Sequence, residues 1–132
     1  MKLNVTPDKT MLEDSDMIVV DIRTEPEWRE TGIVPGSHCI TFFDERGRYD
    51  AAAFFAQIDA LGGKTAHIGL ICRTATRTHQ VAMFMHGQGY TKVRNLLGGI
   101  MQLMKEGWNG DQIRLAKIVL AVLISSGVPM RP

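Results

Sequence analysis

Residues 67–77 read His-Ile-Gly-Leu-Ile-Cys-Arg-Thr-Ala-Thr-Arg, a continuous apolar run that passes directly into a short polar loop. A run of this kind, bounded by polar residues, is typical of a strand buried on both faces, as in a parallel sheet. After the loop, Val81, Phe84 and Met85 recur at helical spacing within residues 76–88. The stretch therefore predicts a buried strand, a loop and a helix in succession.

The same alternation of strand and helix continues on both sides of this stretch. Further strands are predicted at residues 17–22, 38–41 and 92–96, with a short edge strand at 3–5 and a helix that starts at Thr6. Helices are predicted at residues 25–30, which carry Trp28, at 50–61, with Asp50 as N-cap, and from 98 to 106. Strands that alternate with helices over such spans predict one α/β domain with a parallel sheet.

Composition excludes several classes of protein. The chain has 132 residues, 45% of them hydrophobic and 22% charged, which is enough for one domain with a real core. Fifteen basic and fourteen acidic residues leave a net charge of +1, so we expect no nucleic-acid partner. Two cysteines are too few for a disulfide framework, and no metal-ligand spacing occurs, so we expect no metal and no cofactor. Without an apolar run at the N-terminus, we expect the cytoplasm.

The C-terminal region differs from the rest of the chain. Residues 115–124 are all apolar except Lys117, and a run of ten is shorter than the roughly 17–25 residues that span a bilayer as a helix. A membrane partner is therefore not favoured. We expect a domain over residues 1–108 and an apolar C-terminal extension, 109–132, that packs on the domain or on a partner subunit, as in a homodimer. Contact with a membrane surface is the less favoured alternative.

Cys72 is the candidate nucleophile, because ligands in open α/β sheets bind just outside the carboxyl ends of the strands. Inward-pointing N–H groups of the loop, the start of the next helix and two permanently charged arginines would all favour thiolate over thiol. The residues expected to bind the substrate are those of the loop: Arg73, Thr74, Ala75, Thr76 and Arg77. The alternative is that Cys72 is a small buried hydrophobe, which is our interpretation of Cys39.

The spacing of the loop separates two chemistries. Phosphatases with a cysteine nucleophile share a Cys-x5-Arg loop that is wide enough for a phosphate, but here Thr78 stands where that arginine would fall. The arginine comes one residue earlier, at Arg77. A tighter ring of N–H groups suits a single extra sulfur atom on the cysteine better than a phosphate.

In these features the chain resembles the single-domain rhodaneses, the thiosulfate sulfurtransferase family. Four pieces match in the family's order: Asp21-Ile22-Arg23 with Glu27-Trp28, residues 32–40, Cys72-Arg73 with Arg77, and residues 89–100. The chain departs from the family's pattern where Thr74-Ala75-Thr76 replaces a loop that often contains glycine. It departs again at Leu103, where the family often carries tryptophan.

The resemblance implies a small parallel sheet flanked by helices on both faces and a persulfide on Cys72. It implies that sulfane sulfur from thiosulfate, a similar small anion or a protein persulfide passes to a thiophilic acceptor. We expect Asp21, Arg23 and the Gly98–Gly99 pair to be structural, Trp28 to be core and His79 to face solvent. That His38 lines the pocket is an alternative to a purely structural role. Two alternatives are a non-catalytic rhodanese-like interaction module and a cysteine phosphatase or arsenate reductase on a related fold.

Overall fold

The computed structural model describes residues 3–6, 16–73 and 76–105. Within these ranges the strands are β1 (Asn4–Val5), β2 (Ile18–Asp21), β3 (His38–Cys39), β4 (Ile68–Ile71) and β5 (Val93–Leu96). The α-helices are α1 (Glu25–Thr31), α2 (Ala51–Ala60), α3 (Thr76–Gly87) and α4 (Gly99–Lys105), and a 3₁₀ turn spans Gly63–Thr65. The predicted α/β class is confirmed, although β3 is two residues shorter than expected. The helix predicted after Thr6 and the extension at 109–132 lie outside the described residues.

The strands form one sheet in the order β1-β5-β4-β2-β3, and every pairing is parallel. The register places Leu70 of β4 between Val20 of β2 and Asn95 of β5. Because all the strands run the same way, their carboxyl ends meet at one edge of the sheet. Cys72, which follows β4, lies at that edge together with the segments that follow β2 and β5.

Apolar side chains pack on both faces of the sheet. Val20 and Leu70 point to one face, where they belong to a buried cluster with residues of α2 and α3: Phe54, Ile58, Val81 and Met85. The neighbouring Val19 and Ile71 point to the other face and form a second cluster with Ile100 and Leu103 of α4. Successive residues of a strand alternate between faces, so this division confirms that helices flank the sheet on both sides.

Several local predictions meet the structure directly. The Asp50 carboxylate accepts a hydrogen bond from the Ala53 N–H at 3.0 Å and so caps α2, as expected. Trp28 is 1% exposed and is part of the core. Phe84, which was expected on the buried face of α3 with Val81 and Met85, is instead 38% exposed. Its ring centroid lies 5.7 Å from that of Phe55. Among the described helices none is long and apolar enough to cross a membrane.

Candidate active site

The backbone at Cys72 is held by the first turn of α4. The Cys72 carbonyl accepts a hydrogen bond from the Ile100 N–H at 2.8 Å, and the Arg73 carbonyl accepts one from the Met101 N–H at 3.1 Å. These two hydrogen bonds fix the end of β4 and the start of the loop to α4, a helix that comes later in the sequence. The peptide that carries the candidate nucleophile is therefore anchored at the edge of the sheet.

Gly99 makes this close approach possible. Its φ of +54° lies in the left-handed region that favours glycine. A Cβ atom at this position would collide with the Cys72 carbonyl oxygen and would lie 2.9 Å from the carbonyl carbon and oxygen of Arg73. The expected structural role of the glycine pair is thus confirmed at Gly99, whereas a Cβ on Gly98 would meet the side chain of Gln102.

The sulfur of Cys72 faces a chain of buried polar side chains. Cys72 is 1% exposed, and its Sγ atom lies 3.5 Å from the Thr78 Oγ1 atom. The Thr78 hydroxyl donates to Asn95 Oδ1 at 2.5 Å, and the Asn95 Nδ2 atom donates to Asn4 Oδ1 at 3.1 Å. The hydrogen bonds therefore run from the nucleophile position through α3 and β5 to the outermost strand.

Arg77 forms a bidentate ion pair with Glu27 of α1. The Nη1–Oε1 and Nη2–Oε2 distances are 2.8 and 2.6 Å, and the Thr24 hydroxyl donates to the same carboxylate at 3.0 Å. The hydrogen bond from Arg77 is the main cause that lowers the pKa of Glu27 to about 2, against the opposing effect of burial. The hydrogen bond to Glu27 is in turn the main cause that raises the pKa of Arg77, against the opposing effect of burial.

A second ion pair, which is fully buried, holds the C-terminal end of α1 in place. The Arg23 Nη2 atom lies 2.8 Å from Asp21 Oδ2, and the two side chains are 1% and 0% exposed. Arg23 also donates to the Thr31 hydroxyl at 2.8 Å and to the Gly32 carbonyl at 3.0 Å. These bonds tie the end of β2 to the last turn of α1, as expected for structural residues, and they fix the helix that presents Glu27.

The structure describes four of the six predicted site residues. Cys72 and Arg77 share the carboxyl edge of the sheet, whereas Arg73 and Thr76 are exposed. Thr74 and Ala75 lie outside the described residues, so the predicted ring of loop N–H groups stays a prediction. The expectation for His79 is confirmed, because this side chain is exposed.

The two residues of β3 are His38 and Cys39. His38 is paired with Val20 in the sheet, and burial lowers the pKa of its imidazole. Cys39 is 2% exposed, and burial raises the pKa of its thiol, which keeps it protonated and inert. The interpretation of Cys39 as buried filler agrees with this placement.

Sequence reasoning missed three residues of the site: Glu27, Thr78 and Asn95. Glu27 lies three residues after Thr24, the position of a capping partner, and this spacing could have identified it. Thr78 has no comparable local signal in the sequence. Asn95 gave a clearer signal, because it lies in a strand predicted for the core, and a buried polar side chain needs a hydrogen-bond partner. No group of three His, Cys, Asp or Glu side chains in the described ranges could hold a metal ion.

The comparisons with known proteins agree with this architecture. The family model of the rhodanese-like domain matches residues 8–106, and the chain belongs to that family. The domain is therefore of a kind found in sulfurtransferases and in rhodanese-like modules. Among functionally curated proteins, none matches the chain.

Solved structures show the same fold. SSP1007 from Staphylococcus saprophyticus superposes with a TM-score of 0.57 at 23% identity, over 81% of this chain and 97% of the other. Rv0390 from M. tuberculosis gives 0.55 at 19%, over 74% and 79% of the two chains. A rhodanese-like domain protein from Staphylococcus aureus gives 0.52 at 19%, over 75% and 88%.

Proposed function

We propose that the protein transfers sulfane sulfur from thiosulfate, or from a similar donor, to a thiophilic acceptor through a persulfide on Cys72. The Cys72 thiolate attacks the outer sulfur of thiosulfate, the sulfur–sulfur bond breaks, and sulfite leaves with the electron pair. Cyanide or a thiolate then attacks the outer sulfur of the persulfide and releases the Cys72 thiolate. The two steps need no external oxidant or reductant. They replace the direct transfer of sulfur from donor to acceptor by two displacements through a covalent intermediate.

The observation that carries the proposal is the fixed position of Cys72 at the carboxyl edge of a parallel sheet, the edge at which Arg77 is paired with Glu27. The carbonyl groups of Cys72 and Arg73 are anchored by α4, so the sulfur has a defined place relative to the loop. Arg77 keeps its charge at all ordinary pH values and is held by Glu27. A cation that is held in place before reaction stabilises the negative charge that passes over the sulfur atoms.

Arg73 suits a different part of the reaction. Its side chain is exposed at the start of the loop, where it would meet an anionic donor before the sulfur is reached. A small sulfur-containing anion and a persulfide on another protein are both compatible with such a cation. Both donors are therefore included in the proposal.

The test is sulfur transfer from thiosulfate to cyanide, with Cys72→Ser compared with the wild type. Cys39→Ala is the matched control, because it removes the other thiol, which is buried and plays no part in the proposed reaction. We expect turnover in the wild type and in Cys39→Ala and none in Cys72→Ser. Mass spectrometry after incubation with thiosulfate should show an added mass of about 32 Da, one sulfur atom, on Cys72.

Other results would point elsewhere. Turnover that survives in Cys72→Ser would remove this residue from the mechanism. Absence of both turnover and adduct, with thiosulfate and with a protein persulfide as donors, would favour a non-catalytic interaction module. Hydrolysis of a phosphate ester that depends on Cys72 would favour phosphatase chemistry.

We also propose that the extension at residues 109–132 contributes to self-association. Size-exclusion chromatography of the full chain and of a chain that ends at Trp108 tests this. A change from dimer to monomer is expected, and a monomer in both would refute the idea.

A further inference from the structure

The hydroxyl of Thr78 lies between two groups that compete for its single proton. On one side is the Cys72 Sγ atom at 3.5 Å, and on the other is the Asn95 Oδ1 atom at 2.5 Å. Thr78 is 0% exposed and Asn95 is 1% exposed, so bulk water has little access to this contact. Hydrogen bonds in such a site are made between the protein groups themselves.

The proton count fixes the direction of these bonds. A hydroxyl donates one proton and accepts through its lone pairs, and in this structure the Thr78 proton is given to Asn95. The contact between sulfur and hydroxyl is then formed by the Cys72 S–H group donating to Thr78 Oγ1. This arrangement fits the protonated, resting thiol.

The thiolate requires the opposite arrangement. If the hydroxyl kept its orientation after Cys72 lost its proton, an oxygen lone pair of Thr78 would face the negatively charged sulfur, which is unfavourable. If the hydroxyl rotates, its proton points to the sulfur and donates a hydrogen bond to it. A hydrogen bond to a charged acceptor is stronger than a bond between neutral groups, so the exchange favours the thiolate. When the sulfur carries a second sulfur atom it is no longer the charged atom, and the hydroxyl turns back to Asn95.

We propose that Thr78 is a positioning residue whose hydroxyl proton alternates between Asn95 and the Cys72 sulfur. When the proton points to the sulfur, it stabilises the Cys72 thiolate, which attacks the donor and is later the leaving group when the persulfide is discharged. The proposal rests on the proposed function only in that it makes Cys72 the reacting thiol. Asn95 has the opposing role, because it holds the proton away from the sulfur whenever the sulfur is not a thiolate.

The charged groups around the sulfur do not change in the test. Arg77 on α3 is paired with Glu27 on α1, and Asp21 on β2 is paired with Arg23, while Arg73 follows Cys72 directly. Substitutions at Thr78 and Asn95 leave all of them in place. A shift between variants then reports the hydroxyl rather than a new charge.

The experiment measures the alkylation of Cys72 by iodoacetamide against pH, with every variant carrying Cys39→Ala so that one thiol reacts. In Thr78→Val, which keeps the shape and loses the hydroxyl, we expect the midpoint of the rate profile to rise by about 0.5–1 pH unit. At neutral pH this is a roughly threefold to tenfold slower reaction. Thr78→Ser should restore the wild-type midpoint, and Asn95→Ala should lower it, because the competing acceptor is gone.

The discharge of the persulfide to cyanide gives a second readout. Its rate should fall in Thr78→Val and recover in Thr78→Ser, because the leaving group is the thiolate. An unchanged or lower midpoint in Thr78→Val would overturn the proposal, as would a serine variant that behaves like the valine variant or a rise in Asn95→Ala. If the valine variant does not fold, Asn95→Ala still decides the sign of the shift in the midpoint.

The two proposals fail separately. Alkylation reads the thiolate without any sulfur donor, so it judges Thr78 even if no sulfur transfer occurs. If the wild type forms no persulfide but the variants show the predicted shifts of the alkylation midpoint, the proposed function is refuted and the role of Thr78 is supported. A wild type that turns over, with no effect of Thr78→Val on either readout, would do the reverse.

Discussion

Replacement of Gly99 by alanine should disturb the site through backbone contact alone. The new Cβ would occupy the place of the Cys72 carbonyl oxygen and would press on the carbonyl group of Arg73. Neither is the end of a flexible side chain, so the backbone itself must move. Gly47→Ala is the matched control, because Gly47 has a φ of +77° and nothing lies within 4 Å of the position of its Cβ.

The expected magnitudes follow from this difference. Both substitutions place a side chain in the left-handed region, which costs about 1 kcal/mol of folding free energy. At Gly99 the displacement also breaks the two hydrogen bonds that α4 donates to Cys72 and Arg73, at about 1 kcal/mol each. We expect Gly99→Ala to lower the free energy of unfolding by about 3 kcal/mol and Gly47→Ala by about 1 kcal/mol.

Urea denaturation measures both values, and alkylation of Cys72 by iodoacetamide under native conditions measures the effect on the site. Gly99→Ala should change the alkylation rate, since the peptide of Cys72 has moved, whereas Gly47→Ala should leave it unchanged. The reasoning is refuted if the two variants unfold within about 0.5 kcal/mol of each other and react at the same rate.

Two further predictions concern pH. Glu27→Gln should lower the free energy of unfolding by about 1 kcal/mol near neutral pH, a modest value because the pair with Arg77 is partly exposed. Because the pKa of Glu27 falls from 4.5 to about 2 on folding, its contribution is complete above the ordinary value and is lost as the pH falls toward 2. Urea denaturation of both proteins at several acidic pH values should show the difference shrink, and a constant difference would contradict this. Burial, together with the 2.6 Å hydrogen bond to Asp59, raises the pKa of Tyr90 from 10.0 to about 12. The wild type should therefore lose stability as the pH rises from 10 toward 12, and Tyr90→Phe should lack that loss in alkaline denaturation curves; parallel curves would argue against it.

Much of the fold could be predicted because its signals are local. The apolar runs at β2 and β4 identify buried strands, and the Asp50 side chain marks the start of α2 by accepting a hydrogen bond from an N–H three residues away. The place of Cys72 at the end of β4 followed from the same strand. Phe84 shows the limit of such patterns, because spacing defines a helix face but not how far the packed part of that face extends.

The partners within the site could not be predicted in the same way. Glu27 and Arg77 are 50 residues apart, and Asn4 and Asn95 are 91 apart. Their contacts depend on the order of the strands in the sheet and on which helix lies above each edge. No pattern within a short window of sequence carries that information.

The sequence by itself determined the α/β class, the strand that leads into Cys72 and the cysteine and arginines of the proposed site, because periodicity and capping act between residues a few positions apart. Only the tertiary structure decided that Arg77 is held by Glu27, that Thr78 shares its proton with Asn95, and that Gly99 lies against the Cys72 carbonyl. Parallel strands need long crossovers, and those crossovers bring together at one edge of the sheet residues that are far apart in the chain.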